Sequence, residues 1–131
     1  MRQACIDTHA LVWYLSRPKR LARSARRLLR EADAARAVVL VPAIVAVELS
    51  LLREAGRNTV GVAQLEALMA AQPSFRLLPL DLPQATEFAF LQTVRDPFDR
   101  MILAAARTAG VPLVTADEAI HASALVEVVW D

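Results

Sequence analysis

The sequence predicts an α/β fold, a three-layer α/β/α sandwich in which helices cover both faces of a central parallel sheet of four to five strands. Two observations carry this prediction. Short apolar runs alternate with stretches of helical length along the chain, which is typical of parallel strands joined by helical crossovers. No repeat, low-complexity tract or linker rich in Gly, Ser or Pro interrupts the pattern. Residues 1–131 are therefore predicted to form a single domain.

The N-terminal half contains two predicted strands, each followed by helices. Gln3–Asp7 is a short strand that ends in an acid, and Thr8–Ser16 has the composition of a helix. Leu21–Ala35 is predicted to be an amphipathic helix, with leucines and alanines on one side and arginines on the other. Ala37–Val41 is apolar throughout, as expected of a strand that is covered on both faces. A helix should then run from Pro42 to about Ala55.

The C-terminal half continues this alternation with shorter strands. Its predicted elements are a helix at about Val60–Ala71, a strand at Phe75–Leu80, helices at Leu82–Thr93 and Pro97–Ala109, and strands at Pro112–Asp117 and Val126–Trp130. Pro79 ends the first of these strands or places it near a sheet edge, because proline cannot donate a ladder hydrogen bond. Gly110 is a good C-terminal stop for the helix that precedes it.

The composition excludes several classes of protein. Hydrophobic residues make up 56% of the 131 residues and charged residues 22%, which excludes a disordered chain. The longest apolar run, Ala37–Val47, contains a proline and is too short to cross a membrane, and nothing at the N-terminus resembles a signal peptide. Cys5 is the only cysteine, so an internal disulfide is impossible and a reducing, cytoplasmic location is expected.

The basic residues of the chain, whose net charge is +1, are almost all arginines rather than lysines. Fourteen of the fifteen are arginines, Lys19 is the only lysine, and six arginines lie between Arg20 and Arg36. Arginine suits bidentate recognition of phosphate or carboxylate, although a solvated helix face explains such a stretch as well. A P-loop is excluded because its GxxxxGK[ST] pattern is absent.

Glu48 lies in the middle of a predicted helix, where it caps nothing. At 100° per residue its neighbours on the helical wheel are apolar, and they include Ile44, Val45, Leu51 and Leu52. Glu48 is therefore predicted to lie at the centre of an apolar stripe. A carboxylate buried there must be paired with a cation, bind a metal ion or take up a proton. A salt bridge to an arginine is the structural alternative to a metal ion.

Four aspartates invite both a structural and a functional interpretation. Asp7 and Asp117 end predicted strands, and the carboxyl ends of parallel strands meet at one edge of a sheet. N-capping also explains both residues, and it explains Asp96, which precedes a helix. Asp99 shares a helix face with apolar residues and is predicted to point inward, which capping explains less well. Together with Glu48, Asp7, Asp99 and Asp117 make a converging cluster a reasonable hypothesis.

Such a cluster would favour a particular kind of cation. Adjacent carboxylates repel one another, and this repulsion raises their pKa values unless a cation holds them. Oxygen ligands without His or Cys partners select Mg²⁺ or Mn²⁺ over zinc, and His9 and His121 show no metal-binding spacing. A Mg²⁺ ion held by carboxylates is suited to phosphate chemistry.

The chain resembles PIN domains, and specifically the VapC-type ribonuclease toxins of bacterial toxin–antitoxin pairs. The resemblance covers essentially the whole chain and is carried by four segments: IDTHALVWYL (Ile6–Leu15), PAIVAVELSLL (Pro42–Leu52), RDPFDRMILAAA (Arg95–Ala106) and LVTADEAI (Leu113–Ile120). Each motif is weak alone, whereas all four in this order and spacing are specific.

The resemblance implies a Mg²⁺-dependent endoribonuclease, with Mn²⁺ as a possible substitute, on a PIN-like sandwich. The acids that the family uses as catalytic residues and metal ligands fall on Asp7, Glu48, Asp99 and Asp117, and Asp96 and Thr115 are expected to assist them. The resemblance further implies an RNA substrate, a homodimer, and a small VapB-type antitoxin whose tail occupies the acidic site.

Arg95, Arg100 and Arg107 are expected to hold flanking phosphates of the RNA near the rim of this site, with an affinity that falls as salt rises. The alternative from another class is a non-catalytic PIN-like binding module whose acidic pocket receives arginines of a protein partner. A receiver domain fits less well because it needs a lysine at a strand end. A haloacid-dehalogenase-type phosphatase also fits less well, because His9 stands where its second aspartate should be.

Overall fold

A parallel sheet of five strands forms the centre of the computed structural model, which describes residues 1–131. Its strands are β1 (Arg2–Ile6), β2 (Ala37–Pro42), β3 (Phe75–Leu78), β4 (Leu113–Val114) and β5 (Val128–Val129). Its helices are α1 (Thr8–Ser16), α2 (Arg23–Asp33), α3 (Ala43–Glu54), α4 (Val62–Ala71), α5 (Leu82–Phe90), α6 (Pro97–Ala109) and α7 (Glu118–Ser123). The predicted three-layer α/β/α sandwich is confirmed.

The order of the strands fixes where a site is expected. The sheet order is β3–β2–β1–β4–β5. Strands β2 and β3 therefore lie on one side of β1, and β4 and β5 lie on the other. In open parallel sheets, ligands bind outside the carboxyl ends of the strands at such a switch point. Asp7 directly follows β1, and Thr115 and Asp117 follow β4. The sheet therefore brings these three residues to one crevice.

The core is built around the two central strands. Ala4, Cys5 and Ile6 of β1 are fully buried, as is most of β2, because both faces of these strands are covered. Burial raises the pKa of the Cys5 thiol to about 12. Strand β3 lies at the sheet edge, as its proximity to Pro79 predicted. No helix combines the length and the apolar composition that are needed to cross a membrane.

Helix α6 begins and ends at the predicted residues. Asp96 is its N-cap and accepts a hydrogen bond from the Asp99 amide at 3.0 Å, Pro97 is its first residue, and Gly110 ends it with a φ of 69°. The helix predicted at Leu21–Ala35 is shorter. It begins at Arg23, because a 3₁₀ turn precedes it and its N-cap residue, Ala22, has no side-chain acceptor.

The predicted position of Glu48 at the centre of an apolar stripe is wrong. Val45 and Leu49 are the buried residues of α3, whereas Val47 is 51% and Leu51 45% exposed. The core therefore lies on the Val45–Leu49 side, and Glu48 is half-buried at its margin. The helical wheel describes the spacing of apolar residues, but it does not say which of them face the core.

Candidate active site

Asp7 is anchored on two sides at the end of β1. It is 8% exposed, and as the N-cap of α1 its Oδ1 accepts a hydrogen bond from the Ala10 amide at 2.9 Å. Its Oδ2 accepts a hydrogen bond from the Thr115 hydroxyl. Burial raises the pKa of Asp7 to about 6 and the charge of Asp117 adds to the rise, against the lowering effect of these hydrogen bonds and of His9. Asp7 thus changes its charge close to neutral pH.

Thr115 connects the ends of β1 and β4. It is fully buried, and its hydroxyl both donates to Asp7 and accepts a hydrogen bond from the Asp117 amide at 3.0 Å. The ring Nε2 of His121 lies 2.8 Å from the Thr115 carbonyl oxygen and holds the same turn. Asp117 caps α7 through Oδ1, which accepts from the Ile120 amide at 2.9 Å. The capping interpretation is correct for Asp117, and the cap uses one of its two carboxylate oxygens.

The pKa of Asp99 gives the most direct evidence that the acids lie near one another. Burial raises its pKa to about 7, and the charges of Asp96, Asp117, Glu48 and Asp7 each raise it further, in that order. Like charges have such an effect only at short range. The start of α6, the middle of α3 and the ends of β1 and β4 therefore lie near enough for the charges of their acids to act on Asp99.

An open cavity of about 440 Å³ leads to this group of acids. Arg95, Asp96, Asp99 and Asp117 contribute its charged groups, and apolar residues such as Ile120 form much of the rest of its wall. Arg95 is exposed, and it is the only one of the three predicted RNA-binding arginines that lines this cavity.

Glu48 is held by a residue that sequence reasoning missed. The hydroxyl of Thr8, which is 1% exposed, donates a hydrogen bond to Glu48 Oε1 at 2.5 Å. The ion pairs of the molecule are Arg2–Glu31 and Arg107–Glu87, so Glu48 has no arginine partner. The only sequence signal for Thr8 is a hydroxyl directly after Asp7, in the first turn of α1.

Arg100 and Arg107 are engaged within the protein. The Nε of Arg100 donates to the Phe88 carbonyl oxygen at 2.8 Å, and its guanidinium carbon lies 4.0 Å from the centre of the Phe88 ring. Arg107 pairs with Glu87 at 2.6 Å and donates to the Leu125 carbonyl oxygen. Both arginines join α6 to neighbouring segments. Their predicted contact with RNA stays a prediction, and these internal contacts do not favour it.

The set of donors at the acidic site fits a hard divalent cation. Four carboxylates and the Thr115 hydroxyl offer oxygen ligands, which Mg²⁺ and Mn²⁺ prefer. The raised pKa values of Asp7 and Asp99 are those that a nearby positive charge would lower. No three His, Cys, Asp or Glu side chains are arranged closely enough to form a ready metal cluster.

The fold and the site define an α/β domain with an acidic crevice at the switch point of its sheet. The family model of the PIN domain matches residues 4–124. The chain therefore belongs to the PIN domain family, as its sequence motifs had implied, and domains of this family are generally nucleases.

Solved structures with a similar fold come from toxin–antitoxin complexes. VapBC2 from Rickettsia felis, bound to a DNA fragment from its promoter, is 14% identical with a TM-score of 0.70, over 98% of this chain and 99% of that chain. FitAcB from Neisseria gonorrhoeae is 23% identical with a TM-score of 0.63, over 96% of each chain. DNA-bound VapBC from Salmonella typhimurium is 17% identical with a TM-score of 0.66, over 98% and 97%. At these identities the likeness establishes the fold. None of the curated proteins matches the chain.

Proposed function

We propose that this chain is a VapC-type toxin, a Mg²⁺-dependent endoribonuclease of a bacterial toxin–antitoxin pair. The proposal is supported by the PIN fold and by the pKa of Asp99, which the charges of Asp7, Glu48 and Asp117 all raise. The acids come from four separate elements, which a purely local capping role does not require. We place the action in the cytoplasm, where the proposed RNA substrate occurs and the single cysteine stays reduced.

Asp7, Asp99 and Asp117 would hold Mg²⁺, or Mn²⁺ in its place, with Glu48 completing the site directly or through water. When bound, the ion supplies positive charge that acidifies water and offsets charge on the phosphoryl oxygens. Either Glu48 or Asp117 orients the attacking water or accepts its proton.

Two buried hydroxyls support this arrangement. Thr115 holds Asp7 through Oδ2 and steadies the turn that bears Asp117, and Thr8 holds Glu48. Hydrogen-bonded partners of this kind fix the direction in which a ligand or base presents its oxygens. The two threonines are thus positioning residues, and Asp96 is the cap that places Asp99.

We also propose that a small VapB-type antitoxin neutralises the chain through its tail. The toxin–antitoxin complexes among the similar structures support this partner. The cavity lined by Asp96, Asp99 and Asp117 is complementary to an arginine side chain of such a tail. The same cavity supports the alternative of a non-catalytic binding module, and metal-dependent turnover of RNA separates the two functions.

A homodimer is the assembly that we propose. Val47 and Leu51 on α3 and Phe90 on α5 are exposed by 51%, 45% and 79%. Large apolar side chains left in water often mark a protein contact. Light scattering of the purified chain should give the mass of a dimer, and Phe90→Asp should shift it towards the monomer.

RNA end mapping tests the catalytic proposal. The chain and an Asp99→Asn variant are expressed in bacterial cells, and all new RNA 5′ ends are sequenced. New ends at one or a few sites, present only with the parent chain, are expected and would also identify the target RNA. Equal maps from two folded, soluble proteins would favour the binding module.

A further inference from the structure

A second charged region begins where helix α1 leaves the acidic site. His9, Trp13 and Ser16 lie on one exposed or half-exposed face of α1, and the rings of His9 and Trp13 have centroids 6.2 Å apart. This face leads into a cavity of about 420 Å³ between α1 and the loop that joins α3 to α4. Its walls include Trp13, Arg17, Arg20, Arg57, Asn58 and Thr59. We call this cavity the arginine groove.

The arginine groove carries positive charge without any compensation. No acidic residue lines it, and neither ion pair of the molecule includes Arg17, Arg20 or Arg57. All three arginines are exposed. By contrast, Arg26 in the neighbouring helix donates to three backbone carbonyl oxygens at 3.1–3.4 Å. The groove arginines thus keep their donors free for a partner outside the chain.

Local structure positions the backbone of Arg57 and the side chain of Arg20. Gly56, with a φ of 70°, ends α3 in a Schellman motif: its amide donates to the Arg53 carbonyl oxygen at 2.9 Å, and the Arg57 amide donates to that of Leu52 at 2.8 Å. The guanidinium carbon of Arg20 lies 4.4 Å from the centre of the Trp13 ring, a cation–π contact that restricts its movement. The site is therefore partly preorganised.

The position of the groove indicates which anion it serves. Arg17 follows Asp7 by ten residues along α1, a distance of about 15 Å at 1.5 Å per residue. A flexible single strand covers this distance with a few nucleotides, because even in a stacked duplex strand each phosphate advances by about 3.4 Å. A strand whose scissile phosphate lies at the acidic site can therefore place a phosphate a few nucleotides away against the guanidinium groups, which bind phosphate in a bidentate manner.

We propose that the arginine groove is a second RNA-binding subsite, in which Arg17, Arg20 and Arg57 bind phosphates of the strand that flanks the cleaved bond. The inference rests on the proposed ribonuclease function and deepens it. It also moves RNA recognition from Arg100 and Arg107, which are engaged within the protein, to arginines that have no internal ionic partner.

Binding of RNA to a cleavage-deficient protein tests the subsite. A fluorescein-labelled single-stranded RNA of about 20 nucleotides, long enough to cover both sites, is titrated with Asp99→Asn by fluorescence anisotropy at several salt concentrations. Adding Arg17→Ala and Arg57→Ala should raise the Kd at least about tenfold. The slope of log K against log salt should fall in magnitude by about 1.4, because each lost phosphate contact on a single strand contributes about 0.7.

A charge-matched control separates the groove from general electrostatics. Arg23→Ala with Arg76→Ala, in the same Asp99→Asn background, removes two exposed arginines that lie outside the groove and have no ion pair, and should change the Kd less than about twofold. The lysine pair Arg17→Lys and Arg57→Lys should retain most of the salt slope but only part of the affinity, because lysine cannot bind phosphate in a bidentate manner. Circular dichroism melts establish that each variant is folded.

The outcomes distinguish this inference from the proposed function. Equal RNA affinity of the groove variant and its control would overturn the subsite, even if the parent chain cleaves RNA. Loss of RNA affinity in the groove variant, with no new RNA ends from the parent chain, would establish the groove as an RNA-binding site but reject the ribonuclease and the position of the groove beside a cleaved bond. Unchanged RNA affinity with lost binding of a labelled glutamate-rich peptide would assign the groove to an acidic protein partner and overturn its assignment to RNA.

Discussion

The acidic site and the arginine groove lie at the two ends of α1, and each gathers like charges. With fifteen basic and fourteen acidic residues, the chain forms only two ion pairs, so charges of opposite sign are kept apart here rather than matched. The two regions relieve their repulsion differently. Carboxylates can take up protons, and burial, with a further contribution from neighbouring acids, raises the pKa values of Asp7 and Asp99. Guanidinium groups stay charged at all relevant pH values, so only an anion can neutralise the groove.

This difference gives each region its own experimental signature. The acidic site should respond to pH and to divalent cations, because both act on the charge of its carboxylates. The groove should respond to salt, because bound phosphate competes with free ions. Variants that alter one response and leave the other intact test whether the two regions are separate.

The largest effect is expected at Asp7. Asp7→Asn keeps the shape of the side chain but removes its charge, so cleavage of the target RNA should fall at least about 100-fold. Binding of RNA to the groove should persist. Single-turnover cleavage assays measure the change, with Glu66→Gln, an exposed acid on α4, as the matched control. Cleavage at the parental rate by folded Asp7→Asn would reject the catalytic assignment.

The stability of the protein should depend on pH in a direction that the two raised pKa values define. In protein free of divalent ions, Asp7 and Asp99 favour their protonated forms on folding. Their stronger proton binding stabilises the folded state fully below pH 3.8, the ordinary pKa of aspartate. This stabilisation is lost as the pH rises through about 6 and 7, the pKa values of Asp7 and Asp99 in the folded protein. The melting temperature of EDTA-treated protein should therefore fall over this range. The fall should be smaller in Asp99→Asn, which lacks one of the two groups.

Mg²⁺ should reverse this trend, because only ionised carboxylates bind it. Differential scanning fluorimetry should show a rise in melting temperature of several degrees on adding Mg²⁺ at pH 8 and a much smaller rise at pH 5. Asp99→Asn should lose most of the rise at pH 8. An equal response of parent and variant to Mg²⁺ would exclude Asp99 as a ligand.

A smaller effect is expected at Thr8. Thr8→Val removes the hydroxyl that holds Glu48 and keeps the volume of the side chain, so activity should fall about tenfold. Thr8→Ser retains the hydroxyl and should restore most of the activity, which a merely structural loss would not predict. The Mg²⁺ concentration needed for half-maximal cleavage gives a second readout, and it should rise in Thr8→Val if Glu48 helps to hold the ion.

The smallest effect on RNA is expected at Arg100. Arg100→Ala removes a hydrogen bond to the Phe88 carbonyl oxygen and a cation–π contact, so unfolding should become easier by about 1–2 kcal/mol. The salt dependence of RNA binding should stay that of the parent. Urea denaturation and anisotropy measure the two quantities. A smaller slope of log K against log salt in this variant would show that Arg100 contacts RNA after all.

Local signals account for what the sequence predicted well. Asp96, Pro97 and Gly110 are a cap, a first-turn proline and a left-handed stop, so α6 begins and ends where these residues require. The start of α2 was predicted too early because a 3₁₀ turn precedes the helix. The burial of Glu48 depends on neighbours that are remote in sequence, and the prediction there was wrong. The hydrogen bond from Thr8 to Glu48 spans 40 residues. Only the packed positions of α1 and α3 bring these two side chains together.

The same limit applies to the arginines. Arg95, Arg100 and Arg107 look equivalent in the sequence, but the packing of α5 on α6 engages two of them and leaves Arg95 at the cavity. The arginine groove is formed by α1, a 3₁₀ turn and the loop after α3, so no local sequence pattern predicts it. Spacing along the chain predicts helix faces, whereas contacts between elements decide which charged groups are free.

The buried thiol of Cys5 makes this chain well suited to site-specific labelling. Only a thiolate reacts with maleimides, and a pKa of about 12 keeps Cys5 protonated at neutral pH. A cysteine introduced at exposed Ser16, in the wall of the groove, would therefore be the one reactive thiol on the folded protein. A dye at that position could follow the arrival and departure of a labelled RNA by energy transfer, with no native residue to remove first.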